Sequence, residues 1–143
     1  MCNTTIYTSI LAGIQSAVKS TEDVPFNEAL VEELKERVEP IANFYGITHS
    51  EAILFGYFLN ASIKDQDVSR DCIVAHFGKD IIAIAEIDLI IRSLADKRLV
   101  IIKGGNRRFK FHYKSVSANP KAVLAMTEGD IAVMEMQKVE SFS

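Results

Sequence analysis

Charge supplies most of the chemistry in this sequence. Between Lys97 and Lys121 stand eight bases and no acid: Lys97, Arg98, Lys103, Arg107, Arg108, Lys110, Lys114 and Lys121. Lysine and arginine meet phosphates, and each such contact releases condensed counterions. Lys103, Arg107, Arg108, Lys110 and Lys114 are therefore the candidate nucleic-acid contacts. Arg107 and Arg108 follow Gly104-Gly105-Asn106, residues that tolerate positive φ and suit a turn. Lys110 is interleaved with Phe109, Phe111 and Tyr113 in period two, so inward-facing aromatics would leave Lys110 and His112 pointing out. A merely solvated hairpin also carries lysines and arginines, which protect sheet edges. Both readings stand at this level, and the missing acids sustain the phosphate reading.

Catalysis needs convergent groups, and none is legible. There is no G-x-x-x-x-G-K-[ST], no G-x-G-x-x-G and no H-E-x-x-H. No serine sits in G-x-S-x-G. His49, His76 and His112 fall on three different expected elements. Asp65, Asp67, Ser69 and Asp71 alternate like the start of a calcium loop. The sixth and twelfth positions, which require glycine and glutamate, hold Arg70 and His76. Cys2 and Cys72 are too far apart to suggest a metal site or a disulfide framework. Cys72 falls among apolar positions, so burial is expected. The reading is a non-enzyme with no catalytic residue, no metal and no cofactor.

The elements that would position the basic residues follow from periodicity. Ile6, Ile10, Leu11, Ile14 and Val18 have helical spacing, giving a first helix over 6–19. Asn27 caps a helix over 28–44 whose Leu30, Val31, Leu34, Val38 and Ile41 share a face. Glu28, Glu32, Glu33, Glu36 and Glu39 fill its solvated side, and Pro40 should kink or end it. Thr48-His-Ser-Glu51 has the form of a capping box. The run Ile53, Leu54, Phe55, Tyr57, Phe58, Leu59 then predicts a helix buried on several sides. Ser69 caps a short helix ending near Phe77, with Ile73, Val74 and Phe77 inward. After the turn at Gly78-Lys79-Asp80, a longer helix spans about 81–97 with Ile81, Ile84, Ile87, Ile91 and Leu94 as its core stripe. Leu99–Lys103 and Phe109–Tyr113 form a two-stranded hairpin. Asn119-Pro120 starts a helix ending near Gly129.

This order gives a mainly α chain with a small β-hairpin: a winged helix-turn-helix with extra N-terminal helices. Residues 1–45 form a helical extension packing on the core, 46–128 the winged-helix domain and 129–143 a tail or linker. The helix over 81–97 would be the recognition helix, yet it offers Glu86 and Asp88 against the single base Arg92. It lacks the Arg, Lys, Asn and Gln that read base edges.

The chain has 143 residues, 48% hydrophobic and 24% charged, an ordinary globular balance. The formal net charge of −3 conceals an acidic front half and a basic back third. No run approaches the roughly 18–20 apolar residues of a membrane span. The apolar stretch near the N-terminus lacks a charged start, unlike a signal peptide. A soluble cytoplasmic protein without membrane contact is expected.

The stretch Glu51–Lys121 resembles an N-terminal winged-helix domain found ahead of the motor in some bacterial AAA-type ATPases. The resemblance rests on Glu51-Ala-Ile-Leu-Phe, on Val68-Ser-Arg-Asp-Cys-Ile-Val-Ala-His-Phe and on Leu99-Val-Ile-Ile. Asn119-Pro-Lys-Ala-Val-Leu, within Val116–Met126, looks like the chain leaving such a domain. The sequence has no Walker motif, so no ATPase activity carries over. The resemblance implies a non-catalytic accessory recognition domain of a larger ATPase-type protein. Its partner would be a protein or the downstream ATPase module, with weakly specific nucleic-acid contact through the wing. A small winged-helix DNA-binding transcriptional regulator is the alternative, and homo-oligomerisation is open under either.

Overall fold

Thr48 and Glu51 begin the helix on which most of the described elements pack. In the computed structural model, which describes residues 2–22, 26–77, 81–104 and 114–128, this is α3 (His49–Ile63). The capping box forms in full. Thr48 Oγ1 accepts from the Glu51 N–H at 3.2 Å, and Glu51 Oε1 accepts from the Thr48 N–H at 3.0 Å. Ala52, Ile53, Leu54, Phe55, Phe58 and Leu59 are all fully buried, so α3 is enclosed on several sides as its composition predicts.

The other helices are α1 (Cys2–Thr21), α2 (Glu28–Tyr45), α4 (Arg70–Phe77), α5 (Ile81–Asp96) and α6 (Pro120–Glu128). The strands are β1 (Val68–Ser69), β2 (Val100–Lys103) and β3 (Ser115–Ala118). The described chain is mainly helical, with one small three-stranded antiparallel sheet in the order β1-β3-β2.

α1 and α2 pack on α3 and share its core. Ile10, Ile14 and Ala17 from α1 join Leu30, Leu34, Val38 and Ile41 from α2. α1 is longer than its apolar stripe predicts. Gly13, which interrupts that stripe in sequence, lies where α1 approaches the α2 backbone closely. A Cβ there would lie 2.7 Å from the Arg37 carbonyl oxygen. The Asn27 cap forms, its Oδ1 accepting from the Leu30 N–H at 3.0 Å. α2 does not end at Pro40; it runs on to Tyr45 and closes at Gly46, φ 67°. The carbonyl that Pro40 deprives of a donor belongs to exposed Glu36. Burial of Val38, Ile41 and Ala42 holds the helix on either side. Tyr45 then ties α2 to α6 by donating to the Ala122 carbonyl at 2.7 Å.

The sheet corrects the expected two-stranded hairpin. β2 pairs with β3 in the register Val100↔Ala118, Ile101↔Ser117, Ile102↔Val116 and Lys103↔Ser115. β1 adds a third strand, Val68↔Val116 and Ser69↔Ser115. The partner of β2 is thus Ser-Val-Ser-Ala, where only Val116 and Ala118 are buried. Its serines and alanine carry little strand preference, and two residues of β1 are too few to show a period. The strand expected at Phe109–Tyr113 lies outside the described residues. No helix among the described residues is long and apolar enough to cross a membrane.

Glu51 also clamps α5. Its Oε2 accepts from Ser93 Oγ at 2.6 Å, and Lys97 Nζ reaches both carboxylate oxygens at 2.8 and 2.7 Å. Burial alone would raise this carboxyl, but the bonds from Lys97, Ser93 and the Thr48 N–H outweigh it and hold the group at about 2. Its folded value lies below the ordinary 4.5. Its contribution is therefore complete above that pH and is lost as pH falls toward about 2. Glu51→Gln should lower stability at neutral pH by about 2 kcal/mol. It should also flatten the decline between pH 4.5 and 2, as read by urea denaturation across that range. Gly13→Ala opposes two effects. It gains about 1 kcal/mol of helix propensity, but it forces a Cβ onto a backbone oxygen, which costs about 1–3 kcal/mol. A lower urea midpoint is expected, because backbone cannot swing aside as a side chain can.

Candidate functional site

Of the five candidate phosphate contacts, the structure places Lys103 and Lys114. Arg107, Arg108 and Lys110 lie outside the described residues. Lys103 ends β2 and Lys114 precedes β3, and the Lys114 N–H donates to the Lys103 carbonyl at 2.9 Å. Both side chains are exposed and they stand at the same end of the sheet. Gly104 adopts φ 71°, and a Cβ on it would lie 2.6 Å from Lys114 Cβ. Residues 104–114 all lie between the paired strands. The turn expected at Gly104-Gly105-Asn106 lies, beyond Gly104, outside the described residues.

The basic run is acid-free in sequence but not in space. Lys97 is spent on Glu51. Lys103 Nζ pairs with Asp67 Oδ2 at 3.0 Å, with both side chains about half exposed. An exposed pair of this kind contributes about 0–1 kcal/mol, so a phosphate could displace Asp67. Asp67 is also one member of the near-miss calcium loop. Among the described residues no group of histidine, cysteine, aspartate and glutamate side chains could hold a metal ion.

α5 departs most from expectation. Its buried stripe is Ala83, Ile87, Asp88, Ile91 and Leu94. Ile84 is only partly buried, and Ile81, expected in the core, is 81% exposed. Ile82 and Leu89 are exposed as well, at 71% and 59%. With Ala85 and Glu86 they form an outward stripe at helical steps. The first turn of α5 is apolar on every side, so periodicity alone cannot select the residue that meets the core. Asp88, expected among the outward acids, is 3% exposed. Arg70 from α4 holds it, one guanidinium nitrogen lying 2.8 and 2.9 Å from the two carboxylate oxygens. The outward face of α5 is thus apolar with Glu86, rather than broadly acidic.

α4 departs from its expected packing at Cys72. Ile73 and Phe77 point inward, which leaves Cys72, one residue off that stripe, exposed. Its N–H donates to the Ser69 hydroxyl at 3.2 Å, so Ser69 caps α4 while pairing in β1. His76 packs on the Tyr57 ring, with centroids 4.5 Å apart. Its Nε2 lies 2.7 Å from Thr21 Oγ1. The Thr21 hydroxyl donates back to the Ala17 carbonyl, so its oxygen accepts from the imidazole. This joins the end of α1 to α4. Burial raises the Tyr57 phenol to about 12, with a further contribution from Cys72.

An open groove of about 370 Å³ runs along the outward sheet face, lined by Asp65, Gln66, Asp67, Ile101, Lys103 and Ser117. Its charges are the Lys103–Asp67 pair and Asp65, all exposed. Such groups attract polar ligands without the desolvation that acid–base chemistry exploits. Comparison with family models, curated proteins and solved structures returns no match.

The Arg70–Asp88 pair fixes the rotation of α5 and is open to test. Arg70→Ala removes the charge partner of a nearly buried carboxylate, at a cost of about 3 kcal/mol. Arg70→Lys keeps the charge but on a shorter side chain with a more strongly hydrated head, and should recover only part of that. Urea midpoints of the two variants check the order.

Proposed function

We propose that this chain is a non-catalytic recognition domain built on a winged-helix scaffold. It docks on protein through α5 and presents a basic wing. The scaffold reading is supported by the order α3, β1, α4, α5, β2, β3 and by a sheet in which β3 lies between β1 and β2. α4 and α5 then stand as the helix-turn-helix pair, and the chain between β2 and β3 as the wing. The resemblance of Glu51–Lys121 to the domain preceding some bacterial AAA-type motors favours an accessory role in a larger cytoplasmic ATPase-type protein.

The observation that carries the docking reading is the exposure of Ile81, Ile82 and Leu89 on α5. A helix that reads bases presents donors and acceptors to their edges. This one presents aliphatic side chains and Glu86, which phosphates repel. Lys103 and Lys114, with Arg107, Arg108 and Lys110, remain the proposed phosphate contacts, weakly specific because backbone contacts carry no sequence information. The second reading, a small DNA-binding transcriptional regulator, is favoured only by that basic segment.

Titration with random and defined duplex DNA over a salt series separates the two. The docking reading expects weak binding without sequence preference, unchanged by Arg92→Ala on α5. In Arg107→Ala with Arg108→Ala the salt slope should flatten by about two. A sequence preference that Arg92→Ala abolishes would establish the regulator instead.

A further inference from the structure

Lys103 and Lys114 stand at one end of the sheet, and they differ in what holds them. Lys114 is exposed and forms no ion pair among the described residues. Lys103 Nζ is held by Asp67 Oδ2 at 3.0 Å, the two side chains being 51% and 49% exposed. In register, Lys103 on β2 is level with Ser115 on β3 and with Ser69 on β1. The ion pair therefore crosses β3 to reach Asp67, which immediately precedes β1. β3 permits the crossing because the positions that alternate with its buried Val116 and Ala118 are Ser115 and Ser117, with short side chains. The end of α3 places Asp67. Asp65 takes φ 58°, its N–H donates to the Ser62 carbonyl at 3.0 Å, and the Gln66 N–H donates to the Ala61 carbonyl at 2.8 Å. These two bonds are a Schellman closure, and they turn the chain from α3 directly into β1. Asp67 is thus set by the backbone on either side, while Lys103 reaches it on a flexible stem.

We propose that Asp67 determines the specificity of the basic wing: it is a built-in competitor that withholds Lys103 from single phosphates and yields it to a chain of them. The inference rests on reading Lys103 and Lys114 as phosphate contacts and adds how that site selects its ligand. Effective concentration is the reason. Asp67 is tethered beside the ammonium, so a free anion must displace an intramolecular partner. A nucleic-acid backbone already engaged by Lys114 presents its next phosphate in an intramolecular way as well, and competes on equal terms. The exposed pair is weak enough to give way. Counterions follow the same logic. A phosphate that takes Lys103 frees Asp67, which then recruits a cation. Lys103 adds nothing to net counterion release while Asp67 is present, and adds about one ion once Asp67 is gone.

Binding of the full chain to random duplex DNA over a salt series tests this. Asp67→Asn should raise affinity about two- to fivefold, the factor that an exposed ion pair represents, and steepen the salt slope by about one. Asp65→Asn removes another exposed carboxylate, one that holds no lysine among the described residues, and should leave the slope unchanged. Lys103→Ala should leave the wild-type slope unchanged and cancel the steepening by Asp67→Asn. These positions are exposed, so unchanged thermal melts will show that the variants fold; Asp67→Ser serves if Asp67→Asn does not. Inorganic phosphate should compete with duplex no better than chloride at equal ionic strength, and a phosphate-specific loss of binding would overturn the selectivity. The role of Asp67 is also overturned if Asp67→Asn steepens the slope in the Lys103→Ala background, or leaves it unchanged while Lys114→Ala flattens it; the phosphate reading of the lysines then stands. Duplex binding indifferent to Lys103→Ala, Lys114→Ala and Asp67→Asn alike overturns that reading and the inference together.

Discussion

One buried carboxylate fixes the geometry on which the rest depends. Glu51 is 5% exposed, and a charge so placed is tolerable only when its lone pairs are filled. The Thr48 N–H, Ser93 Oγ and Lys97 Nζ fill them. The first bond starts α3, and the other two pin the last turn of α5 to that start. The chain then leaves α5 along a determined path. Arg98 takes φ 63°, the Leu99 N–H returns to the Leu94 carbonyl, and the Leu99 carbonyl accepts from Asn119. Asn119 is in turn the cap of α6. A single ionic hub therefore sets where β2 begins, which way it runs and where β3 must end to meet α6.

Charge read along the sequence misleads where the fold brings distant residues together. The stretch from Lys97 to Lys121 holds no acid, yet Glu51 neutralises Lys97 from α3 and Asp67 pairs with Lys103 across the sheet. Asp88 reads as one of two acids on the outer side of α5. Its burial against Arg70 removes it from that surface and removes Arg70 from the loop before it. The remaining surface has a different character. α5 presents aliphatic groups with Glu86, while Lys103 and Lys114 stay together at the sheet end.

Local signals were legible because their physics is local. The Thr48–Glu51 box, the Asn27 cap, the Asn119-Pro120 start and the heavily apolar α3 each depend on residues within one or two turns. β3 was not legible, because Ser115–Ala118 becomes a strand through its two neighbours rather than through preference of its own. α2 continues past Pro40 for the same reason in reverse: packing of Val38 and Ile41 outweighs a local penalty. Of the candidate contacts, the sequence could name Lys103 and Lys114 but not the Asp67 that shares Lys103. The exposure of Cys72 was hidden because it lies one residue from the core position Ile73, and that of Ile81 because the first turn of α5 is apolar on every side.

One residue turns a helix by about 100°. A rotation of α5 by this amount in the sense that buries Leu89 would carry Asp88 off Arg70 and out of its pocket. The gain from covering a leucine, about 2 kcal/mol, is smaller than the cost of breaking a buried ion pair, about 3–5 kcal/mol. The Ser93 and Lys97 bonds to Glu51 would be lost in the same movement. The polar clamps at 51–97 and 70–88 therefore decide which side of α5 faces out, against the hydrophobic preference of the helix. An apolar surface held open by buried charge is a surface the fold preserves at its own cost, and α5 owes its exposed stripe to these two pairs.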